Sequence, residues 1–476
     1  MDQNLKKQTV HGVMWSAVQR FSTQGIQFVT TIIMARMLTP SDYGVVGMLD
    51  IFIAILSVFV DSGFINALTR KQDRTHTDIC TVFFFNIGIS LIAYCILFLI
   101  APLVASFYSI PELCIILRLL GLIIIIDSFA AVQMTLMIIN LNFKIQTKIS
   151  IISLIISGAI GIILAYNNYT YWALVIQSLL YGIISTSLYW YYSTWRPSLI
   201  FSKQSFKEMF SFGSKILVTS LINTTYGNLY SLVIGKVFSA NILGNYSRAN
   251  AYANFPSSNL TSILQRVTYP VLCKLQDDKT LLSDAYRKLI RTSAFIIFPL
   301  MTGLSALSNP FIIIILGVKW SLCAVMLQII CFALMWYPIH ALNLNLLLVK
   351  GRSDLLLRTE IIKKIIGIIV LCISVPLGII ALCYSGILTS IICLIINTYY
   401  TGKLINVGFN RQMLDISLTF IISISMWGLI LFVNSFIDNI LLQMIVGIIV
   451  GSSFYLIVSY LFNKKELINV LSLIRK

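Results

Sequence analysis

The chain has 476 residues, of which 11% are charged and 58% apolar, and its net charge is +17. A soluble domain needs about 25% charged residues to cover its surface, so a water-facing shell is excluded; the mean hydropathy of +0.90 says the same. Continuous apolar runs of about 20 residues, without the alternating polarity of barrel strands, point to membrane-spanning helices.

The apolar runs predict fourteen spans, over 12–36, 43–67, 79–107, 113–139, 146–166, 171–193, 210–237, 243–268, 289–309, 321–348, 359–380, 382–402, 414–434 and 440–462. Ahead of the first, Lys6 and Lys7 precede a long segment rather than a short apolar core with a small-residue cleavage site, which argues against a cleaved signal peptide. The eleventh and twelfth spans are separated only by Pro376, Gly378, Tyr384 and Gly386. The longest turns, around 194–209 and 269–288, read as amphipathic connectors, and the short loops leave no external domain. The termini and even-numbered turns hold 29 of the 34 basic residues, some just within a span end, while the odd-numbered turns hold Arg36, Lys236 and Lys319. Cytoplasmic loops collect Lys and Arg, so both termini are expected in the cytoplasm, and the charge calls for no nucleic-acid partner. The expected class is an all-α polytopic membrane protein of about fourteen helices.

The nine cysteines form no C-x-x-C pair and mostly lie in apolar runs, so no disulfide framework and no metal site are expected. His11, His76 and His340 show no zinc-type spacing. The sequence shows no Ser/His/Asp grouping, no P-loop pattern and no ATP-binding domain. A transporter without cofactor is expected rather than an enzyme, driven by an ion gradient, the membrane potential or the substrate's own gradient.

Shifted by 200 residues, Ala35–Gly44 (ARMLTPSDYG) lies over Gly235–Gly244 (GKVFSANILG), with a basic residue, a hydroxyl residue and a glycine in register. Each copy joins the first two spans of a set of six, and an even count gives both sets one orientation. The expected domains are 1–200 (spans one to six), 201–405 (spans seven to twelve) and 406–476 (two further spans and a tail), with the pseudo-two-fold along the membrane normal.

Ionisable groups inside spans cost about 2.5–3.5 kcal/mol each and face a cavity or a partner. In the first span Arg20, Gln24 and Gln27 follow i, i+4, i+7 spacing and share a face. That stripe reads as cavity lining, against a packing stripe with Arg20 snorkelling. The seventh span offers Lys215 and Asn223, and the eighth Arg248, Tyr252 and Asn254. Asn and Tyr suit sugar hydroxyls and Arg suits phosphate, against plain interhelical hydrogen bonding. Asp50, Asp61 and Asp127 are candidates to bind a coupling H+ or Na+. Asp61 is also placed to pair with Arg70 or Arg74, and a structural ion pair, with Arg20 for example, is an equal reading of Asp50.

ARMLTPSDYG at Ala35–Gly44, ILGNYSRA at Ile242–Ala249, VTYP at Val267–Pro270, KLQDD at Lys274–Asp278 and LGVKW at Leu316–Trp320 together resemble the Wzx-type polysaccharide and O-antigen flippases of the multidrug/oligosaccharidyl-lipid/polysaccharide superfamily. The segment around 266–291 is most similar to the colanic-acid-exporter branch. The resemblance implies a two-lobed, V-shaped, fourteen-helix fold. It implies flipping of an undecaprenyl-diphosphate-linked oligosaccharide for surface polysaccharide assembly, in the bacterial inner membrane, with a polymerase or chain-length regulator as a partner. Arg20 and Arg248 match basic positions of that family's first and eighth helices. The seventh helix lacks the acidic residue that holds sodium in some relatives. A cation-coupled multidrug antiporter and an integral-membrane glycan polymerase or ligase are the alternatives.

Overall fold

A computed structural model describes residues 3–61 and 63–474, and side chains within them except those of 3–13, 16, 17, 61, 267, 471, 473 and 474. The helices run in the order α1 (Gln3–Met37), α2 (Pro40–Asp61), α3 (Phe64–Arg70), α4 (His76–Tyr108), α5 (Leu113–Ile139), α6 (Phe143–Tyr166), α7 (Thr170–Tyr192), α8 (Lys203–Val237) and α9 (Ala240–Lys274). They continue with α10 (Lys279–Ala306), α11 (Ser308–Leu316), α12 (Ser321–Leu334), α13 (Tyr337–Val349), α14 (Ser353–Ser374), α15 (Ile379–Ile405), α16 (Phe409–Asn434), α17 (Ile440–Phe462) and α18 (Lys464–Ile474). No strand occurs among the described residues.

Each of the fourteen expected spans falls on one of these helices or on a consecutive pair. Ten helices or helix pairs are long and apolar enough to cross a membrane. Four further helices of spanning length, α1, α8, α9 and α14, have no described stretch that is both as apolar and as poor in charge as those of the ten. The second span breaks between α2 and α3, where Gly63 has φ +54 and a Cβ would lie 2.2 Å from the Gly213 Cα. Only glycine meets both demands cheaply. The tenth span breaks between α12 and α13, where Pro338 opens the new helix without an N–H to satisfy.

The two long turns are not connectors of their own. Helix α8 starts at Lys203, with the Ser202 hydroxyl accepting from the Ser205 N–H. Helix α9 runs on to Lys274, and α10 starts at Lys279 with the Asp278 carboxylate accepting from the Thr280 and Leu281 N–H groups. Cap residues nucleate these helices beyond the apolar runs, so what reads as an amphipathic linker is a helix end carried out of the membrane.

The described residues form two compact units, one running to Gly244 and the other from Asn245. In the first, α1 lies on α6, α4 on α5, and α8 packs on α2, α3 and α4. Phe64, Leu68, Val82, Phe83, Val132 and Met209 form the core there, with the Phe64 ring 4.1 Å from Phe85 and 5.5 Å from Phe206. Beside it the Lys71 ammonium bridges the buried Asp78 carboxylate at 3.1 Å and the exposed Glu208 at 3.2 Å. Those carboxylates, Asp78 first, hold Lys71 above the ordinary lysine range. In the second unit α10 packs on α16 and α12, α12 on α15, and α16 on α17, around Phe295, Leu307, Ile422, Met426, Ile430 and Tyr455.

Candidate functional site

Helix α1 carries the polar stripe expected of it. Arg20 and Gln24 are half-buried and Gln27 is exposed. The neighbouring face holds the helix in place: the Gln19 amide donates to the Ser150 hydroxyl at 3.2 Å, and Thr147 of α6 donates to the Trp15 carbonyl at 3.4 Å. Packing onto α6 therefore leaves the Arg20–Gln27 stripe on a different face.

On α8, Lys215 and Asn223 are exposed. On α9 the three candidates part company. Arg248 is half-buried, Asn254 is exposed, and Tyr252 is 8% exposed with its ring edge-on to Phe311 at 5.6 Å. Tyr252 and Asn254 thus meet different surroundings, as a two-residue offset of about 200° on a helix requires. Next to Arg248, the buried Asn245 side chain accepts from the Cys323 N–H at 3.0 Å and so ties α9 to α12.

Asp50 is exposed on α2 and Asp127 on α5. Asp61 ends α2, and its side chain lies outside the described residues, so its pairing does too. Of the partners considered for it, Arg70 covers the Phe212 ring at 4.8 Å, and Arg74 donates to the Lys71 carbonyl at 2.9 Å. A cavity of about 390 Å³ is lined by α1, α5, α6 and α7, with Gln27, Thr30, Ser157, Gln177, Ser178 and Tyr181 in its wall. A Cβ on Gly182 would lie 3.6 Å from an Asp127 carboxylate oxygen. The structure thus brings Gln27 of the α1 stripe to a polar cavity, and Asp127 of α5 is not among the residues of its wall. Among the described residues no cluster of His, Cys, Asp and Glu is arranged to hold a metal ion.

With a polar first helix, two further polar long helices and this cavity in place, comparison with known proteins decides the family. Residues 33–325 match the family model described as "Polysaccharide biosynthesis protein". The chain belongs to that family. Two relatives are likewise named as biosynthesis proteins. It is 26% identical to the teichuronic acid biosynthesis protein TuaB of Bacillus subtilis (strain 168), over 74% of this chain and 73% of that one. It is 25% identical to the lipopolysaccharide biosynthesis protein WzxC of Escherichia coli (strain K12), over 88% and 86%. In fold it is similar to the lipid II flippase MurJ in an inward closed conformation, with a TM-score of 0.78 at 15% identity, covering 96% of this chain and 100% of that one.

This polysaccharide biosynthesis protein also contains intramembrane polar groups that spacing did not single out. In the second unit the Ser390 hydroxyl donates to the Ala333 carbonyl at 3.0 Å, so it accepts from His340 Nε2 at 3.1 Å, and His340 Nδ1 accepts from the Asn397 amide at 3.2 Å. On α14, Lys363 and Glu360 pair at 2.5 Å. Asn343, Thr401 and Gln412, all fully buried, form a closed hydrogen-bonded group. Arg287 grips Asp415 at 2.6 Å, while Arg291 reaches Asp415 at 3.6 Å and Glu466 at 3.1 Å. The signal for all of these was present as polar residues in apolar runs. Apart from Lys363 and Glu360, an i, i+3 pair within α14, their partners sit on helices far away in sequence, which no spacing rule connects.

Proposed function

We propose that this chain is a transporter that moves an undecaprenyl-diphosphate-linked oligosaccharide repeat unit from the cytoplasmic to the outer leaflet of a bacterial inner membrane. The observation that carries this reading is the polarity of α1, α8 and α9. Each is long enough to span, none holds an apolar stretch like those of the ten spans, and together they carry Arg20, Lys215 and Arg248. Cationic side chains within membrane spans mark substrate paths. A diphosphate headgroup binds such groups through forked, charge-assisted hydrogen bonds. Membership of a polysaccharide biosynthesis family supplies the context. The named relatives serve teichuronic acid and lipopolysaccharide biosynthesis, and the protein of like fold is a lipid II flippase.

In this reading spans one to six rock against spans seven to twelve, and both termini face the cytoplasm. Arg20 and Arg248 hold the diphosphate. Gln24, Gln27, Lys215, Asn223, Tyr252 and Asn254 attend the headgroup and its sugars. The prenyl tail stays in lipid. Asp50, Asp61 and Asp127 are the candidates for a coupling H+ or Na+, and a polymerase takes the product on the outer face. The chain forms and breaks no covalent bond.

The test is a leaflet-resolved assay in proteoliposomes. Arg20→Ala and Arg248→Ala are each expected to lower movement of the lipid-linked repeat unit at least tenfold at unchanged protein level. Normal movement in a well-folded double variant overturns the headgroup assignment. Dye sensitivity with intact surface glycan, in a strain lacking the chain, favours a small-molecule antiporter instead.

A further inference from the structure

The cavity between α1, α5, α6 and α7 has a chemistry of its own. Six of its nine lining residues are named above; the others are Thr31, Ile123 and Leu154. Seven of the nine carry hydroxyl or amide groups, and none carries a positive charge. Among the described residues, the side chains of Gln27, Gln177 and Ser178 make no hydrogen bond to protein. Polar groups left unpaired at membrane depth are costly, so the cavity holds water or a polar ligand.

Size and charge select among ligands. A cation stripped of water needs oxygens converging at about 2.0–2.6 Å, whereas about 390 Å³ is room for roughly a dozen waters. The space is too large to cage a bare ion. A diphosphate needs cationic donors, which the wall does not offer. An uncharged polyhydroxylated ligand fits, because hydroxyls and amides supply donors and acceptors together, and Tyr181 adds an aromatic face.

Position agrees with chemistry. Gln27 lies seven residues beyond Arg20 on α1, two turns along the same face, a rise of about 10 Å. A headgroup whose phosphates sit at Arg20 therefore directs its sugars along the stripe toward Gln27 and the cavity mouth. We infer that this cavity is a glycan subsite, which receives a sugar of the repeat unit beyond the one attached to the diphosphate. The inference rests on the flippase reading and adds to it where selectivity for the glycan resides.

Two lipids test it, undecaprenyl diphosphate carrying the whole repeat unit and undecaprenyl diphosphate carrying a single N-acetylglucosamine. Gln177→Leu and Ser157→Leu fill the cavity with apolar volume, and Gln177→Asn keeps its chemistry. Each variant is reconstituted after its melting temperature is matched to the parent. The rate ratio, repeat-unit lipid over monosaccharide lipid, is expected to fall at least tenfold in the leucine variants and to be largely restored in Gln177→Asn. An unchanged ratio, whether both rates stay or both fall, overturns the subsite. A ratio that stays while dependence on a pH or sodium gradient disappears assigns the cavity to ion coupling and also overturns it. If the parent chain moves neither lipid, the flippase reading itself has failed.

Discussion

Gln412 shows what one polar side chain does in the low-dielectric interior of this chain. Its carbonyl accepts from the Asn343 amide at 3.1 Å, and its own amide reaches Asn343 Oδ1 at 3.1 Å, the Thr401 hydroxyl at 3.0 Å and the Val407 carbonyl at 2.9 Å. Gln412→Leu keeps the volume but takes the acceptor from one Asn343 amide hydrogen, while the Val407 carbonyl keeps the Thr401 hydroxyl at 3.2 Å. A buried donor left without its partner costs about 1–3 kcal/mol, so a loss of that order is expected, read as a lower melting temperature in detergent. Gln412→Glu is expected to be no better, because a carboxylate facing Asn343 Oδ1 repels it. A melting temperature within a degree or two of the parent would show that the amide pair contributes nothing. This residue also marks a limit of reading the sequence. Arg20, Gln24 and Gln27 were legible because one helix carries the whole pattern. Gln412 lies 69 residues from Asn343, and its partner emerges only when α13 and α16 are placed.

At the scale of elements, the helices themselves were legible and their interruptions were not. Apolar length sets a span, and ten helices or helix pairs among the described residues meet it. Breaks depend on local backbone demands, as at Gly63, or on caps such as Ser202 and Asp278 that extend a helix past its apolar run. The internal repeat gains physical content at this scale. A Cβ on Gly44 would lie 1.6 Å from the Ala240 carbonyl oxygen, and one on Gly244 would lie 1.8 Å from the Pro40 carbonyl oxygen. The first turns of α2 and α9 thus cross by reciprocal glycine contacts, the closing glycine of each copy meeting the first residue of the other helix. Real Cβ atoms do not approach that closely, so Gly44→Val must push the two helix starts apart. We expect Gly44→Val and Gly244→Val each to lower transport at least tenfold, while Gly25→Ala, in open space on α1, leaves it within twofold. Rates measured on folded, reconstituted variants decide this, and a fully active Gly44→Val would mean that the close crossing is not used in the transport cycle.

For the whole molecule the governing fact is which ends of the helices meet the cytoplasm, because a flippase has a direction. The argument runs from charge. Basic residues gather at one side of every turn, as in Arg70, Lys71 and Arg74 before α4, Lys350 and Arg352 before α14, and Lys464 and Lys465 after α17. Such asymmetry over short loops orients a multi-pass chain with its basic side inward. The opposite turns are poor in charge and end in compact backbone, as at Ser109 and Asn168, both with positive φ. Of the native cysteines, Cys80, Cys323, Cys331 and Cys383 are buried, exposed Cys95 and Cys372 lie within the apolar stretches of α4 and α14, where lipid shields them from a charged reagent, and half-buried Cys114, Cys273 and Cys393 are first replaced by serine to clear the background. Single cysteines are introduced by Ser109→Cys, Asn168→Cys and Asp438→Cys on one set of turns, and by Asn142→Cys, Ser198→Cys and Asn406→Cys on the other. A membrane-impermeant maleimide is expected to label the first set in right-side-out cells, and the second only in inverted vesicles. A mixed pattern within either set would mean that a span is miscounted between the two discordant turns. A clean but reversed pattern would place Arg20, two turns from the basic end of α1, near the wrong leaflet to receive a lipid made in the cytoplasm, and the proposed direction of transport would fall with it.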